Sequence, residues 1–149
     1  MFNQGVRAYA QVKVETAVTT ANPVQLVVLL YEGAISAIAS AKGEMERRNI
    51  AEKARLINKA IDIIEGLRNA LEFNQGGEIA VSLNDLYLYM IQRLSTANLK
   101  NDPALLEEVS GLLTEILGAW ETLAQSREGA DEAAAAAPPT TSGSIASRA

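Results

Sequence analysis

The chain has 149 residues, 48% of them apolar, and a formal charge of -5; that is about one domain's worth of core, with no electrostatic pull toward nucleic acid or anionic lipid. It has no cysteine and no histidine, which excludes disulfides, structural zinc, thiol nucleophiles, haem ligation by those residues and the usual general base near neutral pH. Met1 to Val14 lacks a charged segment followed by an apolar run, so no secretory signal is expected and the protein is placed in the cytoplasm.

The first residues, 1–21, are expected to be a cap segment and linker. Phe2, Val6 and Tyr9 fall at helical spacing, which predicts a short, weakly amphipathic helix, and Thr16 to Ala21 join it to the first long helix. Asn22 can cap a helix, Pro23 suits its first turn, and Gln25 lies where it can reach back to the cap. Helix one therefore starts at Pro23 and runs to about Arg48, with Arg47-Arg48-Asn49 as the turn. Seven of the eight residues from Val24 to Tyr31 are apolar, so its first two turns must be covered on every side. Membrane insertion of Val24 to Ala41 is not expected, because Glu32 near the centre would cost roughly 2.5 to 3.5 kcal/mol.

Helix two carries Ala54, Ile57, Ile61 and Ile64 in alternating steps of three and four, a seam that reaches Leu71 with Leu67 nearby; a second series, Leu56, Ala60, Ile63 and Leu67, lies beside it. Asn74-Gln75-Gly76-Gly77 breaks the pattern with residues that tolerate positive φ. Helix three has its core face at Ile79, Leu83, Leu86, Met90, Leu94 and Ala97, widened by Tyr87 and Ile91, while Tyr89 is expected at a rim. Asn98 to Asn101 turn, Asp102 caps and Pro103 opens helix four, whose seam is Leu105, Val109, Leu112, Ile116, Trp120 and Leu123. Beyond Gln125 the residues are mostly Glu, Ala, Pro, Thr and Ser, so residues 126–149 are expected to be a disordered tail.

Four helices of roughly 20 to 26 residues joined by short turns predict an all-α, antiparallel up-down four-helix bundle over residues 22–125. Little in it suggests chemistry. Gly76-Gly77 has no following Lys-Ser/Thr of a phosphate loop, the inward Glu and His of a di-iron bundle cannot be assembled, and helical carboxylates are usually a solvated face. An enzyme is not expected, nor is a cofactor or metal. Surplus apolar surface on helices one, two and three remains, and a groove accepting a partner's amphipathic helix is the recurrent mode that fits it. A self-associating structural bundle is the alternative.

The same residues carry a family resemblance. Tyr9-Ala10-Gln11, then Ala17 through Pro23 into Leu26 and Leu29-Leu30-Tyr31-Glu32-Gly33-Ala34, resemble the opening signature of FliS, the flagellin-specific export chaperones. The likeness continues through Lys59-Ala60-Ile61-Asp62-Ile63-Ile64, Gly77-Glu78-Ile79-Ala80, Leu86-Tyr87-Leu88-Tyr89-Met90 and Glu107-Glu108-Val109 to Ala119-Trp120. It implies a chaperone that binds the C-terminal segment of flagellin, prevents its premature polymerisation and delivers it to the flagellar type III export apparatus. It also implies a partner that wraps around the bundle and an N-terminal segment that competes for its place. The candidate contact residues are Tyr9 in the cover; Leu26, Leu30, Tyr31 and Ile35 on helix one; Ile61, Ile64 and Leu67 on helix two; and Leu86, Tyr87 and Met90 on helix three. Weak homo-oligomerisation is left open.

Overall fold

The computed structural model describes residues 23–127, and all four expected helices are present. Their order is α1 (Pro23–Glu46), α2 (Ile50–Asn69), α3 (Phe73–Lys100) and α4 (Pro103–Arg127). Each packs on two neighbours, α1 on α2 and α4, α3 on α2 and α4, so the four close into the square of an up-down bundle. Tyr9, with the rest of the cap segment, and the tail from residue 128 lie outside the described residues; α4 runs two residues past the expected end at Gln125.

The turns follow from local chemistry. Arg48 takes positive φ, and Asn49 N–H donates to the Glu44 carbonyl (2.9 Å), closing α1 with the six-to-one bond of a left-handed C-cap. Asn101, at φ 53°, ends α3 in the same way, and the Asp102 N–H returns to Ala97 O (3.1 Å). Asp102 then does what its position predicts, its Oδ1 accepting from the Ala104 N–H at 3.0 Å. The expected break before helix three is localised at Gly77, whose φ 55°, ψ -126° is a conformation open to glycine alone; a helical stretch from Phe73 precedes it, so α3 is two helical pieces joined by a kink.

Packing is closest between α1 and α2. Gly33, Ala37 and Ala41, four residues apart and all buried, form a line of small side chains on α1 that lets the two backbones approach. The core is filled by Tyr31, Ile38, Ile57, Ile63, Ile64, Tyr87, Met90, Leu94, Leu106 and Leu113. Among the described residues α1 alone is long and apolar enough to cross a membrane; its core-facing side is buried in the bundle, and Glu32, Ser36, Ser40 and Glu46 line its outer side.

Two expected faces, on α4 and α3, are corrected. On α4 the buried line is Leu106, Val109, Leu113, Leu117 and Trp120, whereas Leu105, Leu112, Ile116 and Leu123 are only half buried. The helix carries two apolar lines that share Val109 and Trp120, and neighbouring residues differ by about 100°, so periodicity does not choose between them. On α2 the face is two lines wide as expected: Ile57 and Ile64 of the first series and Leu56, Ala60, Ile63 and Leu67 of the second are buried, while Ala54 and Ile61, and Leu71 just past the helix end, are half buried. On α3, Ile79 is exposed and Tyr87 is fully in the core. Lys53, which no sequence pattern singles out, is buried and donates from Nζ to the Asn98 carbonyl in the last turn of α3 at 2.9 Å, satisfying an acceptor that the helix itself leaves open.

Candidate partner-binding surface

The centre of the bundle is polar at one point. Tyr31 on α1 and Tyr87 on α3 reach across the diagonal, and their hydroxyls meet at 2.6 Å, both residues at most 1% exposed. Their rings are tilted at 56° with centroids 6.4 Å apart, and Trp120 of α4 stands 6.4 Å from the Tyr31 ring. Burial pushes both phenols above their ordinary value; for Tyr31 the bonds from Tyr87 and Trp120 act against that rise. The hydroxyls are neutral and bonded to each other, an internal clasp rather than a reactive pair.

Around this core, ion pairs and hydrogen bonds mark which flank of each helix meets which neighbour. Lys42 of α1 pairs with Glu107 of α4. Arg68 of α2 donates to Asn84 Oδ1 of α3 at 3.1 Å. On α3, Arg93 donates from Nε to Glu108 Oε1 of α4 at 2.9 Å, and Tyr89 O–H donates to the other oxygen of the same carboxylate. Those two bonds, Tyr89 first, hold the Glu108 carboxyl below the usual range; the Arg93 guanidinium also lies 5.5 Å from the centre of the Tyr89 ring.

Residues seven apart on a helix differ by only about 20°, so these bonds locate the candidate contacts. Ile35 is seven before Lys42 and therefore faces the α1/α4 seam. Ile61 is seven before Arg68 and faces the α2/α3 seam. Leu86 is seven before Arg93 and faces the α3/α4 seam. Leu26 and Leu30 lie on the other flank of α1, above the small-residue line that meets α2. All five are half buried. The other candidates with described positions, Tyr31, Ile64, Leu67, Tyr87 and Met90, are in the core. The residues do not converge on one groove: the half-buried ones ring the bundle, one group at each of its four seams.

Sequence reasoning missed part of this ring. Leu105, Leu112, Ile116 and Leu123, which periodicity alone assigns to the helix-four core, run half buried on the flank where Glu108 meets α3, beside Leu86. The signal is present in the second apolar line of α4, one more than a core needs. At the α1/α4 seam an open cleft of about 360 Å³ is lined by Ile38, Ala39, Lys42, Leu106, Glu107, Ser110 and Gly111, with an apolar floor and the Lys42–Glu107 pair at its edge. The described residues contain no group of three acidic side chains placed to hold a metal ion.

The family model described as "Flagellar protein FliS" matches residues 5–127. The chain belongs to the FliS family. The flagellar secretion chaperone FliSB of Pseudomonas aeruginosa is 49% identical over 118 residues, 79% of this chain and 94% of the relative. The flagellar secretion chaperone FliS of Salmonella typhimurium is 48% identical over 120 residues, covering 80% of this chain and 89% of the relative. That of Bacillus subtilis is 36% identical over 112 residues, 75% and 83%. FliS proteins are chaperones of flagellar secretion, and this member is a chaperone and not an enzyme. All four bundle helices fall inside the matched region, so the seams belong to the family's part of the chain.

Proposed function

We propose that this FliS-family chaperone takes the C-terminal segment of flagellin as its cargo, holds it in the cytoplasm along the hydrophobic seams, prevents its premature polymerisation and delivers it to the flagellar type III export apparatus. The observation that carries the proposal is the distribution of half-buried apolar side chains over all four seams. A fully buried aliphatic side chain contributes about 1.5 to 3 kcal/mol, and side chains already two-thirds covered have roughly 0.5 to 1 kcal/mol left to give. One seam with two or three of them cannot offset the ordering of a peptide. About a dozen spread round the bundle offer on the order of 6 to 12 kcal/mol, so useful affinity requires a cargo that wraps.

In this reading Leu26, Leu30, Ile35, Ile61 and Leu86 touch the cargo. Tyr31, Ile64, Leu67, Tyr87 and Met90 are the floor beneath them and hold the seams at their spacing. Tyr9, with residues 1–21, supplies a cover that leaves when cargo arrives; residues 22–125, continued by α4 to Arg127, are the chaperone domain. Calorimetric titration of the full chain with a peptide of the flagellin C-terminal segment tests this. Saturable binding is expected, weakened at least tenfold by Ile61→Asp and by Leu86→Asp in variants whose circular dichroism is unchanged. Absence of saturable binding, or affinity untouched in both folded variants, would overturn it.

A further inference from the structure

The outer face of α3 is not explained by the bundle. Of the six large apolar side chains that stand most exposed among the described residues, five are on this helix: Ile79, Val81, Leu88, Tyr89 and Leu99. Val81 (51% exposed), Leu88 (43%) and Leu99 (81%) lie within about 20° of one another around the axis and mark a stripe roughly 27 Å long. Asp85, Gln92 and Ser95 fill the stripe between them and are exposed as well. Single exposed apolar residues are ordinary; a line of them on the outermost helix face is the kind of surface that gets covered.

The charges say what covers it. Glu78 stands beside the Val81 end and Lys100 beside the Leu99 end, both on the same side of the stripe, and neither takes part in the ion pairs of the described residues. A two-fold axis perpendicular to α3 at the level of Met90 lays a second copy antiparallel on this face. Val81 then meets Leu99 of the second copy, Leu99 meets its Val81, and the two Leu88 side chains flank the centre. Glu78 and Lys100 of the second copy come within a turn of each other on the same side, and the symmetry repeats that pair at the other end. A parallel arrangement would place the two Glu78 side chains, and the two Lys100 side chains, on opposite flanks of the contact and pair neither with an opposite charge. The stripe is self-complementary in one orientation only, which is the signature of an isologous contact.

We propose that the outer face of α3 is a self-association surface on which a second copy of this chain docks antiparallel. A single-helix contact falls short of the ~800 Å² per partner of a standard interface, so the dimer is weak and reversible. The contact leaves the α1/α2 and α1/α4 seams facing away and brings the α2/α3 and α3/α4 seams close to it. Cargo and second copy therefore compete on the α3 side of the molecule.

Sedimentation velocity on the full chain over a range of concentrations tests the inference, and every substituted residue is exposed, so folding is not at stake. The expected result is a sedimentation coefficient that rises with concentration, a rise abolished by Leu88→Glu. Glu78→Lys or Lys100→Glu alone should weaken association about tenfold, each breaking both symmetric pairs, and the two together should restore it. A monomer at every concentration, a dimer undiminished by Leu88→Glu, or no rescue by the charge exchange would overturn it. If the free chain stays monomeric while Leu88→Glu weakens calorimetric binding of the flagellin peptide, the face belongs to the cargo and the inference fails while the chaperone reading stands.

Discussion

Replacing Tyr87 by Phe removes one oxygen from the centre of the bundle and leaves the Tyr31 hydroxyl, with no solvent exposure, without its 2.6 Å partner. An orphaned buried hydroxyl costs about 1 to 3 kcal/mol, against about 1 kcal/mol for a hydrogen bond lost with both its partners. In Tyr87→Phe the Tyr31 hydroxyl keeps the Trp120 bond, whereas Tyr31→Phe leaves the Tyr87 hydroxyl with no partner among the described residues and is the costlier change; the ring contacts are kept in both variants, so the cavity term is small. The double variant removes both hydroxyls and should cost clearly less than the sum of the single ones, by about 1 kcal/mol or more of coupling. Urea unfolding followed by circular dichroism on the four chains of this cycle gives the number, provided the m-values agree. Two single variants that add within about 0.5 kcal/mol would refute the clasp as an energetic unit and leave the pair as mere packing.

Other consequences are as direct. Gly77→Ala should destabilise by about 1 to 3 kcal/mol, since φ 55°, ψ -126° is strained for any side chain although the space around a Cβ there is open; the urea midpoint measures it. Lys53→Met keeps the buried stem but leaves the Asn98 carbonyl without its charged donor, at a cost of about 1.5 to 3 kcal/mol, with amide exchange quickening first in the last turn of α3. Stability should also fall at high pH. The Tyr31 and Tyr87 phenols are raised in the fold by burial, so the stability they contribute is fully present below the unfolded phenol value near 10. Above it the unfolded chain releases protons that the folded chain keeps, and stability drops by about 1.4 kcal/mol per pH unit per tyrosine. Urea midpoints from pH 9 to 11.5 check this, and the double Phe variant should flatten the decline.

The fold was legible because its signals are local. Asp102-Pro103 starts α4 with the expected cap bond, Gly77 breaks α3 where only glycine can sit, and the isoleucines of α2 mark a face two lines wide. The choice between adjacent lines was not legible. Leu105 and Leu106 are equally apolar, and what buries Leu106 is the position of α1 and α3, a tertiary fact that a 100° step in one helix does not contain. The same limit explains the candidate site. Wide apolar faces do not say which seam each residue borders; Ile35, Ile61 and Leu86 face three different seams, and this is visible only through Lys42–Glu107, Arg68–Asn84 and Arg93–Glu108. Lys53 was invisible for a related reason, since its partner lies 45 residues away in another helix.

A cargo that engages several seams at once is the central claim, and hydrogen–deuterium exchange of the full chain with and without the flagellin C-terminal peptide tests it most directly. Slowed exchange is expected in segments bordering at least three of the four seams, around Leu26 to Ile35 of α1, Ile61 of α2, Leu86 of α3 and Leu112 to Ile116 of α4. Protection confined to one seam, with the other helices unchanged at saturating peptide, would contradict it.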